Sequence, residues 1–213
     1  LMPTDEYIKT ENPFMDQLET VGWAVEDGDT DVAYLSGDRQ SFRDVILRQD
    51  LREALHRINR AGGAPWLDDA RIDEAVHTLE RVASPNLMEA NQEATRLLRE
   101  GTTVDGHPEH HDGRDQTIHY IDFDHPERNH FRAIRQFRVD HAGASGHSIP
   151  DVVLFVNGIP LVVVECKSPN ATDPVASGVE DLLKYSNQRA GVEENEGIPR
   201  LFTTNQVMVA TSY

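Results

Sequence analysis

One cysteine, Cys166, and three lysines, at positions 9, 167 and 184, are all that 213 residues contain of these types. A lone cysteine excludes an intramolecular disulfide framework, leaves no thiolate cluster for zinc and fits a reducing compartment. No apolar stretch approaches the length of a membrane span. The opening LMPTDEYIKTENP also lacks the basic flank and apolar run of an export signal, so the expectation is a cytoplasmic chain with no membrane partner. No Gly-x-x-x-x-Gly-Lys-Ser/Thr run occurs, so ATP hydrolysis is not encoded in these residues. GASGH at 143–147 lacks the strand-to-helix setting of a nucleophile elbow.

Acid is abundant. With 37 Asp and Glu against 20 Lys and Arg, the net charge is -17, which argues against a protein that coats nucleic acid non-specifically and leaves room for a local DNA groove. The basic residues are almost all arginine, 17 of the 20. In a chain that so seldom uses lysine, one placed at the end of an apolar strand calls for a reason. The hydrophobic share of 38% is enough for a substantial core, and the length suits one large domain, expected to span 1–213.

Helical periodicity dominates the first half. Phe14, Leu18 and Val21 keep one face after Asn12-Pro13, with Gly22 placed to stop the helix. Leu51, Ala54, Leu55 and Ile58 repeat at i, i+3, i+4, i+7, and Ile72, Ala75, Val76, Leu79, Val82 and Ala83 continue the pattern. Ser84 and Pro85 read as cap and first residue of a helix through Leu98. A helical layer is therefore predicted over about 49–100. Strand patterns follow from about 117 to the end: TIHYIDF, FRAIRQFRV, DVVLFV, PLVVVECK and, after a helix near 174–189, VMVAT. Residues 101–116 and 141–148 read as loops. The sum is an α/β architecture.

PDVVLFVNGIPLVVVECKSP (150–169) places Asp151, Glu165 and Lys167 at the ends of the most apolar strands in the chain, where an unpaired buried charge costs several kcal/mol. Asn157-Gly158 between the runs predicts a β-hairpin. With a two-residue turn and unbroken register, 156 pairs with 159 and Asp151 falls opposite Val164, so Glu165 would lie on the other face. A longer loop or one bulge would bring Asp151, Glu165 and Lys167 to one face, with Cys166 pointing away. Two carboxylates converging there would repel unless a cation lay between them, and hard oxygen ligands suit Mg²⁺. Such a site serves metal-assisted phosphodiester hydrolysis, with Lys167 orienting or deprotonating water or neutralising charge on phosphorus. The bland alternative is a pair of strand-end salt bridges to Lys167.

Asp151 followed by Glu165-Cys166-Lys167 resembles the motif of PD-(D/E)xK nucleases, and the hairpin is similar to the amino-terminal nuclease domain of the restriction (motor) subunit of type I restriction-modification enzymes. ENPFMDQLETVGW (11–23) resembles that family's opening helix, HYIDFDHPERNHFRAIRQFRV (119–139) its strand pair, and IPRLFTTNQVMVATS (198–212) its closing segment. The resemblance implies a restriction-endonuclease-like fold, a central mixed sheet flanked by helices, and Mg²⁺-dependent cleavage of double-stranded DNA. It makes Asp151, Glu165 and the Cys166 main-chain carbonyl metal ligands and Lys167 the catalytic lysine. It also implies a longer subunit whose motor domains use ATP, working with methyltransferase and specificity subunits. Glu11 matches an acid on the family's first helix, with a solvated helix-start acid as the alternative. The family's Gln-x-x-x-Tyr pair becomes Asp181 and Tyr185 in DLLKY; Tyr185 is kept as a site residue, while an acid replaces the amide. A nuclease fold retained as a docking module, or another PD-(D/E)xK repair or modification-dependent nuclease, are the competing readings.

Two further groups have both a functional and a structural reading. His107, His110 and His111 have a zinc reading and a solvated-loop reading. Arg128, Arg132, Arg135 and Arg138 would either touch DNA phosphates or pair with acids such as Asp122, Asp124 and Asp140.

Overall fold

The structure, a computed structural model, describes residues 6–143, 145–189 and 196–212. In chain order it forms helix α1 (Asn12–Thr20), strand β1 (Ala24–Asp27), helix α2 (Arg48–Ile58), short strands β2 (Arg60–Ala61) and β3 (Ala64–Pro65), and helices α3 (Asp69–Glu80) and α4 (Leu87–Glu100). Strand β4 (Thr102–Val104), the single-turn helix α5 (Pro108–His111) and strands β5 (Gln116–Ile118), β6 (Phe131–Arg135), β7 (Val139–Asp140) and β8 (His147–Ser148) come next. Strands β9 (Val152–Val156) and β10 (Ile159–Lys167), helix α6 (Pro174–Tyr185) and strand β11 (Val207–Ser212) complete it. Two compact units emerge, one of Leu1–Val45, Phe131–Phe155 and Pro160–Tyr213, the other of Ile46–His130 and Val156–Ile159.

The first unit carries a five-stranded sheet in the order β1-β6-β9-β10-β11. It is mixed: β1 runs parallel to β6 and β10 parallel to β11, while the turn makes β9 and β10 antiparallel. Helix α1 lays Met15, Phe14 and Leu18 on one face, against Val25, Ala133, Val152, Leu154, Val162, Val164, Cys166 and Val209. The opposite face takes α6, whose Gly178 lies so close to Ala210 that an added Cβ would stand 3.0 Å from the alanine's Cβ.

That core settles the register question. A two-residue turn joins β9 to β10, with Asn157 at φ 53 and Gly158 at φ 77, the double positive φ of a type I′ turn. Carried on unbroken, its register would put Val152 opposite Val163 and Leu154 opposite Leu161. Instead Val152 and Leu154 share a cluster with Val162, Val164 and Cys166. The register therefore slips by one residue beyond the turn, and the approach of the Asp151 N–H to Glu165 Oε1 fits an extra residue on β10, in the stretch that holds Pro160, which has no N–H to give a ladder. This bulge turns Glu165 to the face that Asp151 occupies, and leaves Cys166 in the core.

In the second unit, Leu51, Ala54 and Leu55 of α2, Ile72, Ala75, Val76 and Leu79 of α3, and Ala90, Ala94, Leu97 and Leu98 of α4 are buried, as the periodicity predicts. Boundaries differ. Helix α3 ends at Glu80, and α4 is capped by Asn86, whose side chain accepts the Met88 N–H, so the start lies two residues beyond Ser84 and Pro85. The predicted strand over 117–123 stops at Ile118, because side chains take the backbone groups beyond it. The Asn59 amide holds His119 at both N–H and C=O, the Asn157 amide binds the Tyr120 carbonyl, and the Asn129 amide holds Asp122 at both N–H and C=O. The predicted loop 101–116 contains β4 and α5, with β4 pairing β5. Helix α6 ends at Tyr185, short of the predicted 189.

Candidate active site

Asp151 stands one residue before β9, and Glu165 and Lys167 lie near the end of β10. Asp151 reaches the neighbouring strand: its Oδ2 accepts the Cys166 N–H at 2.8 Å, and its own N–H approaches Glu165 Oε1 at 3.4 Å. Glu165 Oε2 lies 3.1 Å from Lys167 Nζ. From α6, Asp181 Oδ2 reaches the same ammonium at 2.8 Å, and the Tyr185 hydroxyl interacts with Glu165. The i, i+4 spacing of Asp181 and Tyr185 aims both at the strand end.

A second set of groups closes on Asp151 from the start of the chain. Glu11 ends the π-helical turn Tyr7–Glu11 that leads into α1. Gln136 follows β6 in the left-handed region, at φ 54, and its N–H donates to the Asp151 carbonyl at 2.7 Å. Its side-chain amide donates to Glu11 Oε2 at 3.2 Å and approaches Asp151 Oδ1 at 3.4 Å. Glu6 Oε2 accepts the Ser168 N–H at 3.2 Å, and Thr10 Oγ1 donates to the Lys167 carbonyl at 3.1 Å. One carboxylate oxygen each from Glu6, Glu11 and Asp151 lie within 4.8 Å of one another.

Glu165 is 1% exposed, Glu11 3% and Asp151 8%. Burial, followed by the neighbouring Asp151 charge, pushes Glu165 from 4.5 to about 8 and Glu11 from 4.5 to about 7. Burial likewise raises Asp151, against the pull of the Cys166 N–H and Lys167. Lys167 moves the other way from a simple buried amine. Burial lowers it, but Asp181 and Glu165 outweigh that and raise it, which keeps the ammonium protonated. Tyr185 is raised by burial and then by Glu165 and Asp181, so its hydroxyl stays a neutral donor. The site gathers more buried carboxyl groups than Lys167 can pair, and their raised hold on protons reflects their burial and that crowding; as oxygen donors they fit a hard divalent cation.

Asp151, Glu165, Lys167 and Tyr185 thus converge. Cys166 supplies its backbone N–H, while its side chain lies in the core. Glu11 is buried rather than a solvated helix-start acid. Gln136 and Glu6 went unseen in the sequence, where one sits inside a strand pattern and the other in a polar leader. His107, Glu109 and His110 bring ligand atoms within 4.8 Å, half-buried to exposed, whereas His111 accepts the His107 N–H and sets its ring against Trp66. The four arginines all have acidic partners: Arg128 with Asp122, Arg132 with Glu26, Arg135 with Asp27 and Arg138 with Asp140.

Residues 4–212 match the family described as type I restriction enzyme R protein N terminus. The chain is 29% identical over 196 residues to the type I restriction enzyme HindI endonuclease subunit of Haemophilus influenzae, covering 92% of this chain and 17% of that protein. It is 24% identical over 208 residues to a Methanocaldococcus jannaschii protein named for the MjaIXP endonuclease subunit of a type I restriction enzyme, covering 97% of this chain and 18% of that protein. The chain therefore spans less than a fifth of the length of these relatives.

Proposed function

Because the chain belongs to the family of type I restriction enzyme R protein N termini, we propose that it is a Mg²⁺-dependent endonuclease domain of PD-(D/E)xK fold. Its substrate in this reading is unmodified double-stranded DNA, cut at phosphodiester bonds inside an ATP-dependent restriction complex. The observation that carries the reading is the convergence of buried Asp151 and Glu165 with Lys167 beside them. A strand-end salt bridge needs one carboxylate; burying a further, repelling one beside it is costly without a cation.

Asp151 and Glu165, with the main-chain carbonyl of Cys166, would hold Mg²⁺, which supplies polarisation of a phosphate oxygen and a more acidic bound water. Lys167, held as an ammonium by its two carboxylates, neutralises charge developing on the phosphate and does not serve as a base. Tyr185 steadies Glu165 from α6, and Gln136 ties Glu11 to Asp151. ATP is used by motor domains elsewhere in the subunit, and methyltransferase and specificity subunits complete the complex in the cytoplasm. Among the described residues no helix is long and apolar enough to cross a membrane.

The test is plasmid cleavage by the assembled enzyme carrying Glu165→Ala or Lys167→Ala, with ATP hydrolysis followed in the same reactions. Loss of cutting with ATP turnover retained is the expected result. Cutting at the parental rate would place the nuclease elsewhere.

A further inference from the structure

We infer that Asp181 is a positioning residue that holds the Lys167 ammonium so that Glu165 is free to bind a divalent cation. The inference rests on the proposed metal site and concerns the carboxylate that α6 brings to Lys167. Lys167 Nζ lies 2.8 Å from Asp181 Oδ2 and 3.1 Å from Glu165 Oε2, so one ammonium is shared between two carboxylates. The two partners are unequal. Glu165 is buried and faces Asp151, whereas the Asp181 side chain is 36% exposed and belongs to a different element, α6.

A cation arriving between Asp151 and Glu165 competes with Lys167 for the Glu165 carboxylate and repels the ammonium. Without another anion, Lys167 would have to be driven from a half-buried position or keep Glu165 engaged. Asp181 removes that conflict: the lysine keeps a full ion pair on α6 when Glu165 turns to the metal. A neutral amide at 181 accepts a hydrogen bond but offers no countercharge, so the carboxylate here has an electrostatic task that an amide performs only in part.

The experiment is a calorimetric titration of Mn²⁺ into the full-length subunit without nucleotide, comparing wild type, Asp181→Asn, Lys167→Met, the double variant and Glu165→Ala. Asp181→Asn is expected to weaken Mn²⁺ binding about fivefold to tenfold where Lys167 is present, and to change it little in the Lys167→Met background, as a positioning role demands of a double-mutant cycle. An equal loss in both backgrounds would mean that Asp181 acts on the metal directly, and no loss in either would mean that it does nothing for the site; both overturn the inference. Glu165→Ala separates the two readings. If it abolishes Mn²⁺ binding while Asp181→Asn has no effect, only the role of Asp181 fails. If Glu165→Ala binds Mn²⁺ like wild type, the metal site itself fails and this inference with it.

Discussion

The carboxylates of the helical unit and those at the sheet end of the other unit follow opposite rules. On α2, α3 and α4 most ion pairs join arginines to acids at or near the surface: Arg48 with Glu80, Arg52 with Asp69 and Asp73, and Arg96 with Glu93 and Glu100, with Asp50 of α2, buried beside His130, as the exception. Such pairs sit in water and contribute little, so the helices are held by their apolar faces. At the sheet end the proportion reverses, with Glu165, Asp151 and Glu11 buried and a single lysine nearby. One arrangement decorates a fold already stable; the other holds repelling charge in place at a cost to stability. Charge that a fold keeps buried against its own interest is a better pointer to chemistry than charge it displays.

Breaking the apolar side of that comparison has the largest expected effect. Leu55→Ala, at a fully buried position on α2, is expected to cost about 2–5 kcal/mol in denaturant unfolding. A cost near zero would mean that the exposed ion pairs carry more than supposed.

The pH dependence of the metal-free protein sharpens the other side. Glu165 and Glu11 bind protons more tightly folded, at about 8 and about 7, than in their ordinary range near 4.5. The folded state therefore holds protons that the unfolded chain has released, so the contribution of these two groups to stability is fully present below about 4.5 and is lost as pH rises through 7 and 8. Thermal melts in EDTA across that window should show the decline, and added Mg²⁺ should flatten it. A metal-free protein whose melting temperature rises between pH 5 and 8 would contradict this account.

Glu165→Gln removes one of the repelling charges while keeping the side chain's shape. At pH 9 without metal the variant should melt above the parent and gain less from Mg²⁺, with the lost Lys167 contact limiting the gain. The smallest effect belongs to the surface. Arg52→Ala, which removes contacts to Asp69 and Asp73, is expected to cost about 1 kcal/mol or less, and to lose even that in high salt.

Legibility followed the range of the interactions involved. Helices α2, α3 and α4 were readable because their burial repeats every three to four residues, a local property. Their ends were less so: Asn86 rather than Ser84 caps α4, a choice made by which side chain meets the Met88 N–H. The strand predicted through 119–123 failed because Asn59 and Asn157, distant in sequence, and Asn129, seven residues on, satisfy its backbone. At the site, Asp151, Glu165 and Lys167 were visible as charged groups set against apolar strands, whereas Tyr185 was reached only through the family resemblance. Gln136 was hidden because its role depends on a left-handed backbone at the end of β6, which a strand pattern does not announce.

By itself the sequence determined which residues were available for chemistry: a scarce lysine and two acids at the ends of its most apolar strands, joined by an Asn-Gly turn. Whether those acids meet was left open, since a side-chain period of two residues makes their relative face depend on a single inserted residue. Tertiary structure decided it. Packing of Val152, Leu154, Val164 and Cys166 beneath α1 requires the bulge on β10, and the same displacement that buries these four side chains turns Glu165 toward Asp151.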